Sequence, residues 1–193
     1  MPPKAKFTRD EIIEASLAIV KAEGFKALTA RALGAKLGSS ARPIFTVFDS
    51  MEEVQQAVLD EAKRIYKQYV EHGLKETLPF KGVGTQYILF AMEEPKLFQL
   101  LFMKEQELVP NLSGVLPLIE ESYDDILYSI QSSYALDEEK SKRLYYHLWI
   151  YTHGIASLCA TKMCCFTAEE INTMMTDVFV SLLKNMKAGQ END

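Results

Sequence analysis

The sequence predicts an all-α protein: an N-terminal three-helix unit containing a helix-turn-helix, followed by a larger helical body. Three observations carry this. Apolar residues recur at helical spacing along the chain, and no segment alternates apolar and polar residues cleanly enough for a strand. Three capping boxes open helices at Thr8, Ser50 and Thr167, each with Glu three residues on. Glycines stand where helices should stop, at Gly24 and Gly38.

The first helix begins at Thr8, where Thr8-Arg9-Asp10-Glu11 forms a box and Phe7 and Ile12 a hydrophobic staple. Ile13, Leu17 and Val20 make its apolar stripe, and Gly24 ends it. A short second helix has Thr29 as N-cap and Leu28 and Leu33 as staple, and stops at Gly38. A third is expected from Ser40, its N-cap, to Phe48, with Pro43 in the first turn. Ser50-Met51-Glu52-Glu53 opens a long helix to about His72. Further helices are expected over 83–93, 95–106, 115–133, 137–162 and 167–187, with a loop over 107–114. The domain boundary is set at 1–49 and 50–193.

Composition narrows the class. Of 193 residues 48% are hydrophobic, enough for a sizeable core. No run is long enough to span a bilayer, and Met1–Lys6 lacks the apolar stretch of a signal peptide, which points to the cytoplasm. The net charge of −6 is divided unevenly. Residues 1–48 carry eight Lys/Arg against four Asp/Glu, net +4, and the rest thirteen against twenty-three, net −10. A basic front on an acidic body suits a module that touches phosphate. There is no glycine-rich phosphate loop, nucleophile elbow or spaced metal-ligand set, so neither an enzyme nor a bound cofactor or metal is expected. Cys159, Cys164 and Cys165 are an odd count with no disulfide framework or standard zinc spacing.

Two short helices joined by a tight turn satisfy the helix-turn-helix pattern, with Gly34 where the helices cross and Gly38 in the turn. Gly34 costs a helix about 1 kcal/mol relative to alanine, which calls for a packing reason. An ordinary helical hairpin meets the same spacing. Thr29 and Ser40 sit at helix starts, where free N–H groups meet phosphate, and Arg31 and Lys36 add charge. Ala41, Arg42, Pro43 and Thr46 are candidates to face base edges: Arg42 for a guanine, Thr46 or Pro43 for a thymine methyl. Arg42 is equally suited to phosphate alone.

Residues 12–58 resemble the DNA-binding domain of the TetR family. The resemblance rests on Ala22-Glu23-Gly24-Phe25, Leu28-Thr29, Gly38-Ser39-Ser40, Ile44-Phe45-Thr46-Val47-Phe48 and Ser50-Met51-Glu52-Glu53. Departures are Phe45 for the usual Tyr, Val47 for His, Met51 for Lys and Gly34 for Ala. Phe90-Ala91-Met92-Glu93-Glu94-Pro95-Lys96-Leu97-Phe98 and Trp149-Ile150-Tyr151-Thr152-His153-Gly154 resemble stretches of that family's ligand-binding domain. The resemblance implies a regulator that binds double-stranded DNA at a palindromic operator, with Phe45 among the contacts. It implies a repressor released by a small apolar or amphipathic effector. The density of Met and aromatics over 83–106 makes Tyr87, Phe90, Phe98, Phe102 and Met103 candidates to line an apolar effector pocket, and the resemblance adds Trp149 and His153 with Tyr123 and Tyr146 as neighbours. Each of these alone also reads as core, and His153 as a structural histidine. A homodimer through helices 137–162 and 167–187 is implied, with Ile171, Met174, Met175, Val178, Phe179 and Leu182 as a stripe that needs a partner. The competing reading is a helical ligand-binding or protein-interaction module with a degenerate helix-turn-helix, prompted by the missing Tyr and Lys.

Overall fold

The computed structural model describes residues 6–105 and 109–188; part of the expected 107–114 loop and the last residue of the expected 95–106 helix lie outside them. The described residues form nine α-helices and no strand, the all-α fold expected. The helices are α1 Arg9–Glu23, α2 Ala30–Lys36, α3 Met51–Leu74, α4 Pro79–Glu93, α5 Pro95–Phe102, α6 Leu112–Ile119, α7 Tyr123–Tyr134, α8 Glu138–Ala160 and α9 Ala168–Ala188. Short 3₁₀ turns cover Phe25–Ala27 and Ile44–Thr46. The chain divides into two compact units, one of residues 1–66 with 94–105, the other of 67–93 with 106–193.

Local chemistry places the helix starts. Thr8 and Glu11 exchange both bonds of a capping box, and Thr167 and Glu170 do the same before α9. The box at Ser50 is only half made. Ser50 Oγ accepts from the Glu53 amide at 3.3 Å, but the Glu53 carboxylate accepts from the Asp49 amide and from Arg9 instead. Both partners hold the Glu53 carboxyl below its ordinary range, the Asp49 amide most. Thr8→Ala should cost about 1 kcal/mol, the usual loss for an N-cap. Urea unfolding should show it as a lower midpoint with an unchanged slope.

Four expected elements differ from the structure, one of them the helix expected over 95–106, which ends at Phe102 with residues 103–105 outside it. The third helix is not an α-helix from Ser40: a turn closes from the Ile44 N–H to the Ala41 carbonyl at 3.1 Å, and only Ile44–Thr46 is helical, as a 3₁₀ turn that follows Pro43 and has no side-chain cap. Pro43 offers no N–H, and Ile44, Thr46 and Val47 are β-branched, so little favours propagating a helix. A single α-type bond forms, Phe48 N–H to the Ile44 carbonyl at 3.0 Å. The expected 115–133 helix is two helices, α6 and α7. Pro117 lies inside α6, where it removes the bond that Ser113 C=O would receive. The Tyr146 hydroxyl donates to that carbonyl at 2.8 Å. At the break, Glu120 accepts from the Ser122 amide at 3.0 Å. Finally α4 starts at Pro79, four residues ahead of expectation, with proline in its first turn.

In the first unit the core is built from Ile12, Val20, Leu33, Ile44, Phe48, Val54, Leu97 and Phe98, all 1% exposed or less. Arg9 lays its guanidinium over the Phe48 ring at 4.2 Å, and Lys21 pairs with Glu94. In the second unit α8 packs on α4, α7 and α9. The end of α3 meets the start of α4 at Gly73 and Gly82, where backbones touch directly.

Candidate functional site

The turn after α2 is set by backbone chemistry. Gly38 adopts φ +62°, left-handed, and its N–H bonds the Ala35 carbonyl at 3.0 Å while Ser39 N–H bonds Gly34 C=O at 2.9 Å. These are the two bonds of a Schellman motif. Gly34 is fully enclosed: a Cβ there would stand 3.0 Å from Ala41 N and Ser40 C. The helix thus presses its backbone against the following turn, which is the packing reason for its glycine.

That arrangement leaves a polar surface. Thr29, Arg31, Lys36, Ser40, Arg42, Phe45 and Thr46 are exposed, and Ala41 and Pro43 are half-buried. Thr29 caps α2 by accepting from the Ala32 amide at 3.2 Å. The Thr46 hydroxyl donates to the Pro43 carbonyl at 2.6 Å, which leaves its methyl and oxygen lone pairs as contact groups. Lys6 donates to Ser39 at 3.0 Å, adding a cation beside the turn. Buried Ile44 and Phe48 anchor the 3₁₀ segment from beneath.

The expected effector residues fall into two groups. Phe98, Phe102 and Met103 belong to the first unit, where Phe102 meets Phe98 at 5.2 Å and Tyr66 edge-on at 4.9 Å. Phe90, Tyr87, Tyr123, Tyr146, Trp149 and His153 belong to the second. Phe90 is buried there, edge-on to Tyr69 at 5.2 Å.

Tyr87, Trp149 and His153 come together. The Tyr87 oxygen lies 2.8 Å from His153 Nδ1, and the Trp149 and His153 rings are 5.5 Å apart. Burial drives the Tyr87 phenol well above its ordinary range, while a hydrogen bond from the Trp149 indole N–H opposes it. Such a phenol keeps its proton, and its oxygen shares a hydrogen bond with Nδ1 whose direction follows the imidazole tautomer. Burial lowers His153 below its ordinary value of 6.5. A second aromatic group adjoins Glu120. Tyr123 stacks on Tyr145 at 5.6 Å, Phe80 meets Tyr145 edge-on at 5.6 Å, and the Tyr123 hydroxyl bonds that of Tyr146. Burial, then the Glu120 charge, raises Tyr145.

Glu120 and Tyr145, both buried, were not expected at this site. Tyr145 was within reach of pattern: Tyr145, Trp149 and His153 follow at i, i+4 and i+8 along α8. No such signal marks Glu120, which lies in the unforeseen break between α6 and α7.

The His153 shift sets a pH dependence. Its folded value lies below its unfolded one, so below about pH 6.5 the unfolded chain binds the proton more readily. Stability is full above that value and declines as pH falls through it. Thermal melts between pH 7.5 and 5.5 should show a fall that His153→Gln flattens; an unchanged slope in the variant would refute the assignment.

A shallow depression on α9 is lined by Phe166, Glu169, Glu170, Thr173 and Met174, none of them an expected effector residue. Among the described residues no group of three or more His, Cys, Asp and Glu could hold a metal ion, and no helix is long and apolar enough to cross a membrane. Compared with known proteins, the chain matches no family model and no curated sequence.

Proposed function

We propose that the chain is a DNA-binding transcriptional regulator of the TetR type, acting in the cytoplasm without catalysis. The single observation that carries this reading is the close packing of α2, through Gly34, on a turn that leaves Arg31, Lys36, Ser40 and Arg42 exposed together. The free amides at the start of α2 and these cations suit phosphate, and Arg42 suits a guanine edge. The uneven charge along the chain supports the same assignment.

The second unit would hold the effector, an apolar or amphipathic molecule, near Tyr87, Trp149 and His153. Binding that favours one arrangement of the molecule would shift DNA affinity by its differential free energy. Pairing through α8 and α9 would place two reading heads on a palindrome. Along α8 the exposed face runs Arg143, His147, Ile150, Gly154 and Leu158, and a Cβ at Gly154 would meet open space. On α9, Met174, Met175, Val178, Phe179 and Leu182 are only half-buried and Ile171 is buried.

The test is a band-shift titration with DNA flanking the protein's own gene. Binding should weaken steeply with salt, as phosphate contacts require. Arg42→Ala should lose about 10–100-fold in affinity for the specific site. No binding in low salt would overturn the reading. One observation favours the competing module with a degenerate helix-turn-helix: the reading segment is a 3₁₀ turn, not a helix. That alternative expects effector binding unaltered by Arg42→Ala and no DNA affinity at any salt.

A further inference from the structure

The turn between α8 and α9 carries chemistry that DNA binding does not use. Lys162 takes the left-handed conformation at φ +58°, and its N–H bonds the Cys159 carbonyl at 3.0 Å. The amides of Met163 and Cys164 both reach the Leu158 carbonyl, at 3.0 and 3.3 Å. The chain is folded back so that Cys164 and Cys165 emerge beside the last turn of α8, which carries Cys159. All three thiols are free; Cys164 and Cys165 are exposed and Cys159 is partly buried. Free cysteine is among the most buried residue types, and reactivity rather than packing usually decides whether it is kept.

The adjacent pair is poorly suited to closing on itself. Every described peptide bond is trans, so the Cα atoms of Cys164 and Cys165 are about 3.8 Å apart. A disulfide prefers roughly 4.4–6.8 Å. An atom placed between the two sulfurs removes that shortage. Zinc would ask for about four donors, and no group of three is arranged for it here. A trivalent arsenic bearing one organic substituent asks for two thiols only.

We propose that Cys164 and Cys165 form a capture site for a monosubstituted trivalent arsenical. Each sulfur forms one bond to arsenic, the arsenic–oxygen double bond of the arsenoxide breaks, and both thiol protons leave with that oxygen as water. Arsenic remains trivalent, so no oxidant or reductant takes part. Cys159 is a neighbour and not a ligand. The site stands independently of the DNA-binding reading.

The experiment uses the full chain, reduced, with one equivalent of phenylarsine oxide, read by intact mass spectrometry. One adduct is expected, heavier by the reagent less one water. It should survive excess glutathione and be stripped by 2,3-dimercaptopropanol, because two linked thiols outcompete single ones by about 100-fold or more. Cys164→Ser and Cys165→Ser should each lose the adduct to glutathione, while Cys159→Ser keeps it. Circular dichroism of the Cys164→Ser and Cys165→Ser variants should match the parent, since both positions are exposed. No adduct on the parent, an adduct that persists in either pair variant, or its loss in Cys159→Ser would overturn the assignment.

Discussion

Phe48→Ala is expected to destabilise the protein by about 4 kcal/mol, as truncation of a fully enclosed phenylalanine does. The ring is 1% exposed and supports the Arg9 guanidinium on its face at 4.2 Å. Its backbone makes the one α-type bond that ends the Ile44–Thr46 turn, to Ile44, itself fully buried. Removing the ring therefore leaves a void beneath Ile44–Thr46 and takes the ring face from under Arg9, which keeps its bond to Glu53. Urea denaturation measures the loss. Phe45→Ala is the control: that side chain is 44% exposed, so stability should change by no more than about 0.5 kcal/mol. A Phe48→Ala cost below about 1.5 kcal/mol would show that the segment is not anchored as described. If the DNA-binding reading holds, Phe48→Ala should also lose specific DNA retention at temperatures where the parent keeps it.

Gly73→Ala should cost about 3 kcal/mol. A Cβ at Gly73 would lie 2.5 Å from the Val83 amide nitrogen and 2.7 Å from the Gly82 carbonyl carbon. Both are backbone atoms, so no rotamer change relieves the clash and the helices must separate. Helix propensity works the other way by about 1 kcal/mol in favour of alanine. Overpacking against rigid backbone typically costs 1–3 kcal/mol and at times more, so the clash outweighs the gain. For a chain of this size the melting temperature should fall by about 6–12 °C. Gly154→Ala gives the contrasting sign within a single chain, because its Cβ meets open space there and only the propensity gain remains. A Gly73→Ala variant as stable as the parent would mean that α3 and α4 do not cross at Gly73 and Gly82.

Features that depend on neighbours in sequence were legible. Thr8, Thr29 and Thr167 cap their helices, Gly38 closes α2 in the left-handed conformation, and Pro95 opens α5. Each depends on a hydroxyl, a missing Cβ or a missing N–H acting within about four residues, where chain connectivity already supplies the geometry. The close approach at Gly34 was legible for the same reason, since its contacts are only five to seven residues away. The Ser50 box shows the limit. Its spacing is correct, yet Glu53 also bonds Arg9, a residue 44 positions distant.

The candidate site divides along the same line. Trp149 and His153 stand one turn apart on a single helix, and that spacing is enough to bring their rings together. That Tyr87 would bond His153, 66 residues away, and that Phe98 and Phe102 would join the other unit, was not legible. Neither was the break after α6, nor the bond in the first turn of α6 by which the Tyr146 hydroxyl serves the Ser113 carbonyl that Pro117 leaves without its helical donor.

The sequence alone determined the all-helical class, the helix starts at Thr8, Thr29 and Thr167 and the glycine-closed turn after α2, because those follow from local propensity and capping. Tertiary structure alone decided the part-buried Tyr87–His153 bond, the placing of Glu120 and the backbone contact at Gly73. The physical reason is range: a cap acts within one helical turn, whereas burial and cross-helix bonding exist only once distant segments have packed.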